Sequence, residues 1–211
     1  LFFIKNIIKI DKDLLKEYLY NNIYFGSKNT FFKKIKQVLP GNYLIFENFN
    51  INEKSYYNFK NLSKNKKKFK IKEFSKNIKQ TVDKHLIADK DICLSLSSGV
   101  DSKSLVALIS QSKFRKNLKE SYSFSFENFK SEDLEANKFS KILGIRNQKI
   151  LITKKDIINN FKKLIQINEG PIGGIANIAM LLLCKKVKLD GYNVLLAGYG
   201  MDEALYGYNS L

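Results

Sequence analysis

The sequence predicts an α/β fold, a parallel sheet with helices on both faces, preceded by a smaller block of its own. Three observations carry this. Short strand-like runs at residues 92–96, 122–126, 149–152 and 194–197 alternate with segments whose apolar residues recur at helical spacing. Glycine-bearing loops follow the first and the last of these runs, at the strand ends where such sheets bind ligands. Hydrophobic residues make up 44% of the 211, enough for a core and too many for a disordered chain.

The elements read in order as follows. In the first block, Leu14, Leu15, Tyr18 and Leu19 have helical spacing behind Asp11 and Asp13, which suit a helix start. Pro40 and Gly41 form a turn that runs into a short strand at 42–45. The polar, lysine-rich stretch 63–70 reads as a linker, so the division is 1–62, 63–70 and 71–211. A helix with Phe74, Ile78 and Val82 on one face then ends near Ala88. Strand 92–96, helix 103–110 and strand 122–126 follow. Ser131 caps the next helix, with Glu132 and Asp133 in its first turn, and Gly144 ends it. After strand 149–152, Ile158, Phe161 and Ile165 mark a helix, 176–189 forms another, and 194–197 is the last strand.

Composition excludes several function classes. The net charge of +17 is spread along the chain amid abundant Lys, Asn and Ile, so it reads as compositional bias rather than a nucleic-acid footprint. Cys93 and Cys184 stand far apart in apolar stretches and read as core residues of a reducing cytoplasm. With no CxxC pair and His85 the only histidine, neither a zinc site nor a Cys/His nucleophile pair is expected. No membrane span or signal peptide is visible. The chain opens on Leu1 and stops at Leu211 just after a motif, which reads as a fragment.

Two loops carry chemistry. In the first, Ser97-Ser98-Gly99-Val100-Asp101-Ser102 joins strand to helix. Such a turn aims backbone N–H groups and the positive end of a helix dipole at one point, which suits an anion. The hydroxyls of Ser97, Ser98 and Ser102 add donors, Gly99 lets the backbone come close, and Asp101 suits a Mg²⁺ ion held against phosphate. An ordinary turn with Asp101 and Ser102 capping the helix is the plain alternative. No GxxxxGK[ST] loop occurs. The second loop is Gly198-Tyr199-Gly200-Met201-Asp202-Glu203, then Tyr206-Gly207-Tyr208. Its alternative is a helix start with two carboxylates in the first turn.

Together the first loop resembles the SGGxDS pyrophosphate loop of N-type ATP pyrophosphatases, and the second the GEGxDExxxGY segment of glutamine-dependent asparagine synthetases. Residues 122–126, the helix 131–144 and the Glu169-Gly170-Pro171 turn fall in that family's order. Residues 30–35, Leu39-Pro40-Gly41 and Tyr56-Tyr57 are similar to the end of its glutaminase (class II amidotransferase) domain. The resemblance implies an adenine nucleotide alpha hydrolase-like synthetase domain at 71–211, truncated, behind the end of an α+β glutaminase domain. It implies ATP-dependent adenylation of a carboxylate, aspartate by default, then attack by ammonia derived from glutamine, with release of AMP and pyrophosphate. Asp101, through Mg²⁺, and Tyr199 would be catalytic. Leu96, Ser97, Ser98, Gly99, Asp101, Ser102, Ser125 or Phe126, Gly198 and Gly200 would bind ATP, and Asp202 and Glu203 would order the loop or face the substrate.

Three departures qualify it. Ser98 replaces a family glycine, Tyr199 replaces a family glutamate, and the amino-terminal nucleophilic cysteine is absent. Two other readings keep the same loops. A β-lactam synthetase-like enzyme has a tyrosine at the position of Tyr199 and closes a ring with an internal amine, and a tRNA-modifying relative would suit the charge. A non-catalytic remnant is the third.

Overall fold

A computed structural model of the chain describes residues 8–21, 27–58, 61, 68–127, 133–205 and 207. The expected cap at Ser131, its neighbour Glu132 and most of the 63–70 linker lie outside these. Two compact units emerge. One holds the described residues up to Lys68 together with Glu169–Gly173, the other Phe69–Asn168 and Gly174 onward.

In the first unit, helix α1 (Lys12–Asn21) starts where Leu14 N–H donates to the Asp11 carboxylate at 3.2 Å. Strands β1 (Asn42–Glu47) and β2 (Asn50–Ser55) form an antiparallel hairpin in register from Asn42↔Ser55 to Glu47↔Asn50. Its two-residue loop, Asn48 (φ 49°) and Phe49 (φ 61°), is left-handed at both positions, as a turn of the I′ kind requires. The sequence reading found β1 and not β2. A Phe in place of the usual Gly hides the turn, and the sequence NINEKS has little apolar alternation.

The second unit is the α/β domain. Its elements are α2 (Ile71–His85), β3 (Ile92–Ser95), α3 (Val100–Ser110), β4 (Leu118–Phe126), α4 (Asp133–Leu143), β5 (Arg146–Ile152), α5 (Lys154–Asn168), α6 (Ala176–Leu189), β6 (Val194–Leu196) and α7 (Met201–Leu205). The four strands run parallel in the order β5-β4-β3-β6. Side chains alternate along each strand, and the core divides accordingly. Ile92, Leu94 and Leu96 pack with Val82, Val106, Ile109 and Ala136 from α2, α3 and α4. Cys93 joins Tyr122, Leu183 and Val187, with Leu195 and Met180 against them, under α6. Among the described residues every buried hydrophobic lies between Val82 and Val187, within this unit.

One expectation is corrected. Cys184 is exposed, unlike buried Cys93. Helix α6 buries Ile178, Ala179, Leu183 and Val187, and Cys184 sits one residue, about 100° of helix rotation, past that stripe. On α5, Ile158, Phe161 and Ile165 are 65%, 48% and 38% exposed, and the buried residue is Leu164. The helix that these three residues mark is present, and its buried residue is Leu164 because α5 carries apolar residues on both sides.

Polar groups at the amino end of the sheet are mutually satisfied. The buried Tyr122 hydroxyl donates to Asp190 at 2.7 Å and lies 3.1 Å from Glu120, which accepts from Gln148 at 2.9 Å. Burial, then the hydrogen bond to Asp190, pushes the Tyr122 phenol well above its usual range. The network runs from Glu120 to Tyr122 on β4, on the face covered by α6.

Helix α5 opens with a reciprocal cap. Asp156 N–H donates to Thr153 Oγ1 at 3.2 Å, while Thr153 N–H and hydroxyl donate to Asp156 Oδ2 at 3.0 and 2.6 Å. These bonds, the hydroxyl's foremost, hold the Asp156 carboxyl below the usual aspartate value. A lowered folded-state pKa stabilises above the unfolded value near 4 and is lost as pH falls through the folded one. Asp156→Asn is therefore expected to destabilise the chain at pH 7 and to flatten its stability loss below about pH 4, as urea midpoints across pH would show.

Candidate functional site

The strand order decides where a ligand fits. From β3 the chain moves outward to β4 and β5, then returns to place β6 on the other side of β3. Loops leaving β3 and β6 therefore diverge at a topological switch point and open a crevice between them. A cleft of about 510 Å³ lies there, lined by Leu96, Ser97, Gly99, Asp101 and Ser102 from one loop and Gly198, Tyr199, Gly200, Asp202 and Glu203 from the other. Two segments that are remote in sequence thus share one cavity.

The first loop is held by its own serines. Ser97 Oγ lies 2.8 Å from Ser102 Oγ and accepts from Gly99 N–H at 3.3 Å, while Ser97 N–H donates to Ser102 Oγ at 3.3 Å. At its root Leu96 N–H donates to the Tyr122 carbonyl at 2.8 Å, so the sheet fixes where the loop begins. The N-cap of α3 is Gly99, which makes no side-chain capping bond. Asp101 is thus not the N-cap. It stands half-buried in the first turn, where a carboxylate is favoured by the dipole. The start of α3 forms part of the cleft wall, an arrangement suited to phosphate.

The second loop closes directly on Asp101. A Cβ on Gly198 would stand 3.3 Å from Asp101 Cβ and 3.4 Å from its backbone carbon. Gly200 has φ +94°, a backbone state that favours glycine. Gly198→Ala is expected to leave the fold intact and to shift Asp101 by a few tenths of an ångström. A misplacement of about 1 Å at a reacting centre can cost about 10²-fold, so a shift of this size is expected to cost up to about tenfold in rate. Thermal unfolding beside the rate of nucleotide turnover would check this, and an unchanged rate would show that the contact has slack.

Tyr199 is 76% exposed. Partial desolvation of the phenol, with a smaller contribution from Cys184, raises its pKa above the ordinary 10. It is protonated throughout the physiological range.

Of the residues expected from the sequence, Ser98, Ser125 and Phe126 do not line the cleft, whereas Phe124, Met180, Ser95, Val100 and Ala197 do. Strand alternation explains Phe124: it shares the face of Tyr122 and reaches the cleft, while Ser125 turns to the opposite face. That signal was available in the sequence. Met180 comes from α6, some 80 residues from the first loop, and no local pattern announces it. Tyr206 and Tyr208 lie outside the described residues. Gly207 is placed against Asp202, whose carbonyl accepts its N–H at 3.0 Å.

The donor set bears on which metal would fit. Among the described residues no group of three or more His, Cys, Asp or Glu could hold an ion by itself. One or two carboxylates beside hydroxyls and a phosphate site instead fit Mg²⁺ brought in by phosphates. No helix of the described residues is long and apolar enough to cross a membrane.

The chain is 29% identical over 209 residues to asparagine synthetase [glutamine-hydrolyzing] 1 of Bacillus subtilis, covering 97% of this chain and 32% of that protein. It is 24% identical over 200 residues to amidase chyE of Penicillium rubens, covering 86% of this chain and 30% of that one. It thus spans about a third of the length of the curated relatives it matches. Among solved structures it is similar to an NH3-dependent NAD synthetase from Campylobacter jejuni, with a TM-score of 0.43 and 17% identity over 67% of this chain and 62% of that one. The sequence profile described as asparagine synthase matches residues 73–211, which hold all but the first few residues of the α/β unit and both cleft loops, and the chain therefore belongs to the asparagine synthase family.

Proposed function

We propose that this chain carries the ATP site of an amide ligase that activates a carboxylate as its adenylate. The observation that carries the reading is the convergence of the Ser97–Ser102 loop, the uncapped start of α3 and the Gly198–Glu203 loop on one cleft. A carboxylate oxygen of the acid attacks the α-phosphorus of ATP. The bond from that phosphorus to the α–β bridging oxygen breaks, and its electron pair leaves with pyrophosphate. Ser97 and Ser102 hydroxyls and the first N–H groups of α3 receive the charge of the leaving group, a preorganised stabilisation. Asp101 would hold Mg²⁺, which supplies charge neutralisation at the phosphates. Leu96, Phe124, Met180, Gly198 and Gly200 would contact the nucleoside, and Asp202 and Glu203 would order the second loop or face the acid.

Ammonia then attacks the acyl carbon, AMP leaves, and the nitrogen loses a proton. In the full protein that ammonia would come from glutamine, with residues 1–62 as the end of a glutaminase-type domain and 63–70 as the linker to 71–211. The similarity of 97% of this chain to a glutamine-hydrolysing asparagine synthetase supports this division. Aspartate is the first acid to assay.

The test is pyrophosphate exchange and product analysis in the full-length protein. AMP and pyrophosphate are expected, and ADP with phosphate would refute adenylation. The same assay addresses Tyr199. A neutral phenol with a raised pKa is a poor general base near pH 7, so Tyr199→Phe is expected to leave both exchange and amide formation within a few-fold of the parent. Loss of amide formation with exchange intact would make the hydroxyl the base.

A further inference from the structure

One stretch of the second loop has no part in the proposed chemistry, the Tyr206-Gly207-Tyr208 run after α7, of which Gly207 is described. Gly207 turns back on the first turn of α7, where its N–H donates to the Asp202 carbonyl at 3.0 Å. The backbone does not require glycine there. The described glycines at positive φ are Gly41, Gly144, Gly191 and Gly200. A side chain requires it instead. A Cβ built on Gly207 would stand 1.9 Å from Asp202 Oδ1, 2.7 Å from its Cγ and 3.1 Å from its Cα. The Asp202 carboxylate thus fills the space that a side chain at 207 would need.

Asp202 is half-buried and lines the cleft together with Asp101. Among the described residues its carboxylate has no hydrogen-bond or ion-pair partner. A carboxylate that ordered the loop would be bonded within it. This one has given up part of its hydration and keeps its acceptor capacity for something else. Under the adenylation reading, on which this inference rests, the cleft receives the nucleotide and the acid, so the task of Asp202 is with a ligand. We propose that Gly207 is a positioning residue of this site, which by carrying no side chain leaves the Asp202 carboxylate its seat in the cleft wall.

The experiment is a double-mutant cycle in the full-length protein, read by pyrophosphate exchange. Gly207→Ala keeps the N–H and its bond to the Asp202 carbonyl and adds only a methyl group. To reach ordinary contact the carboxylate oxygen must retreat by about 1.5 Å. A misplacement of about 1 Å can cost about 10²-fold in rate, so exchange is expected to fall at least about tenfold. The unfolding transition should hardly move. Asp202→Ala, itself expected to be slow, removes the atoms that the new methyl group meets most closely. In that background Gly207→Ala should therefore cost less than about threefold, the non-additivity of residues in contact. A further tenfold loss there would make Gly207 a plain structural residue and overturn the inference. Exchange unchanged by Gly207→Ala, or by Asp202→Ala, would overturn it too. If Gly207→Ala does not fold, Asp202→Glu serves. Its longer side chain cannot rest in the same seat, exchange should again fall at least about tenfold, and a parental rate would overturn the inference. Each of these failures leaves the adenylation reading standing. A parent protein that exchanges no pyrophosphate removes the reading and the inference together.

Discussion

Asp101→Ala in the full-length protein is expected to lower pyrophosphate exchange by roughly 10²- to 10³-fold, the scale on which a single preorganised electrostatic group acts on a transition state. The fold should survive. Asp101 is half-buried in the first turn of an eleven-residue helix whose N-cap is Gly99, and losing a favourable charge–dipole contact costs about 0.3–1 kcal/mol. A rate that collapses while the unfolding transition barely moves would separate chemistry from stability. Asp101→Asn keeps the shape and removes the charge, and it should be nearly as slow. If turnover were unchanged in either variant, Asp101 would be only a favourable first-turn carboxylate, and the metal assignment would fall.

The complementary expectation concerns Leu94, a few residues earlier on β3. It is 1% exposed and packs in the cluster with Val82, Val106 and Ala136, on a strand paired on both sides. Leu94→Ala removes buried methyl groups where neighbouring strands prevent collapse, so a loss of about 2–5 kcal/mol is expected. That is a large part of the roughly 5–15 kcal/mol that holds a domain together. Urea unfolding should show a lower midpoint with an unchanged slope. ATP affinity of the folded fraction should stay within a few-fold of the parent. A large affinity loss without a midpoint shift would mean that Leu94 shapes the cleft and not the core.

The parallel sheet, its strands and the two loops were legible because each depends on short-range pattern. The short apolar run at 92–96 announced a strand, and the six residues Ser97–Ser102 announced a turn into a helix. Helix α6 matched its expected bounds at Ala176–Leu189. What failed needed the third dimension. Strand β2 is stabilised by its partner rather than by its own residues, and its turn replaces glycine with Phe49. The inward face of α5 is set by what it packs on, so the stripe of Ile158, Phe161 and Ile165 marked the helix without identifying Leu164 as its buried residue. In the cleft, Ser125 was named one position from Phe124, which lines the wall, and a step of one reverses the face of a strand. Phe126 shares the face of Phe124 but lies two residues further along and outside the lining.

The place of β6 in the sheet also has a temporal meaning. Its neighbour β3 lies far back in the chain, and the buried Cys93 thiol donates to the Val194 carbonyl across 101 positions of sequence. A closure of that length is slow to find, since ordering a long loop precedes any reward from the contacts it brings. The local segments β3-α3-β4 can form as soon as they are made, so the serine loop exists early, with only half of its surroundings. A growing polypeptide would therefore hold the turn proposed to bind phosphate for the whole interval before residue 194 is synthesised and docks. Nucleotide affinity is expected to rise as a late event in folding, and ligand present during refolding should act on the last step rather than the first.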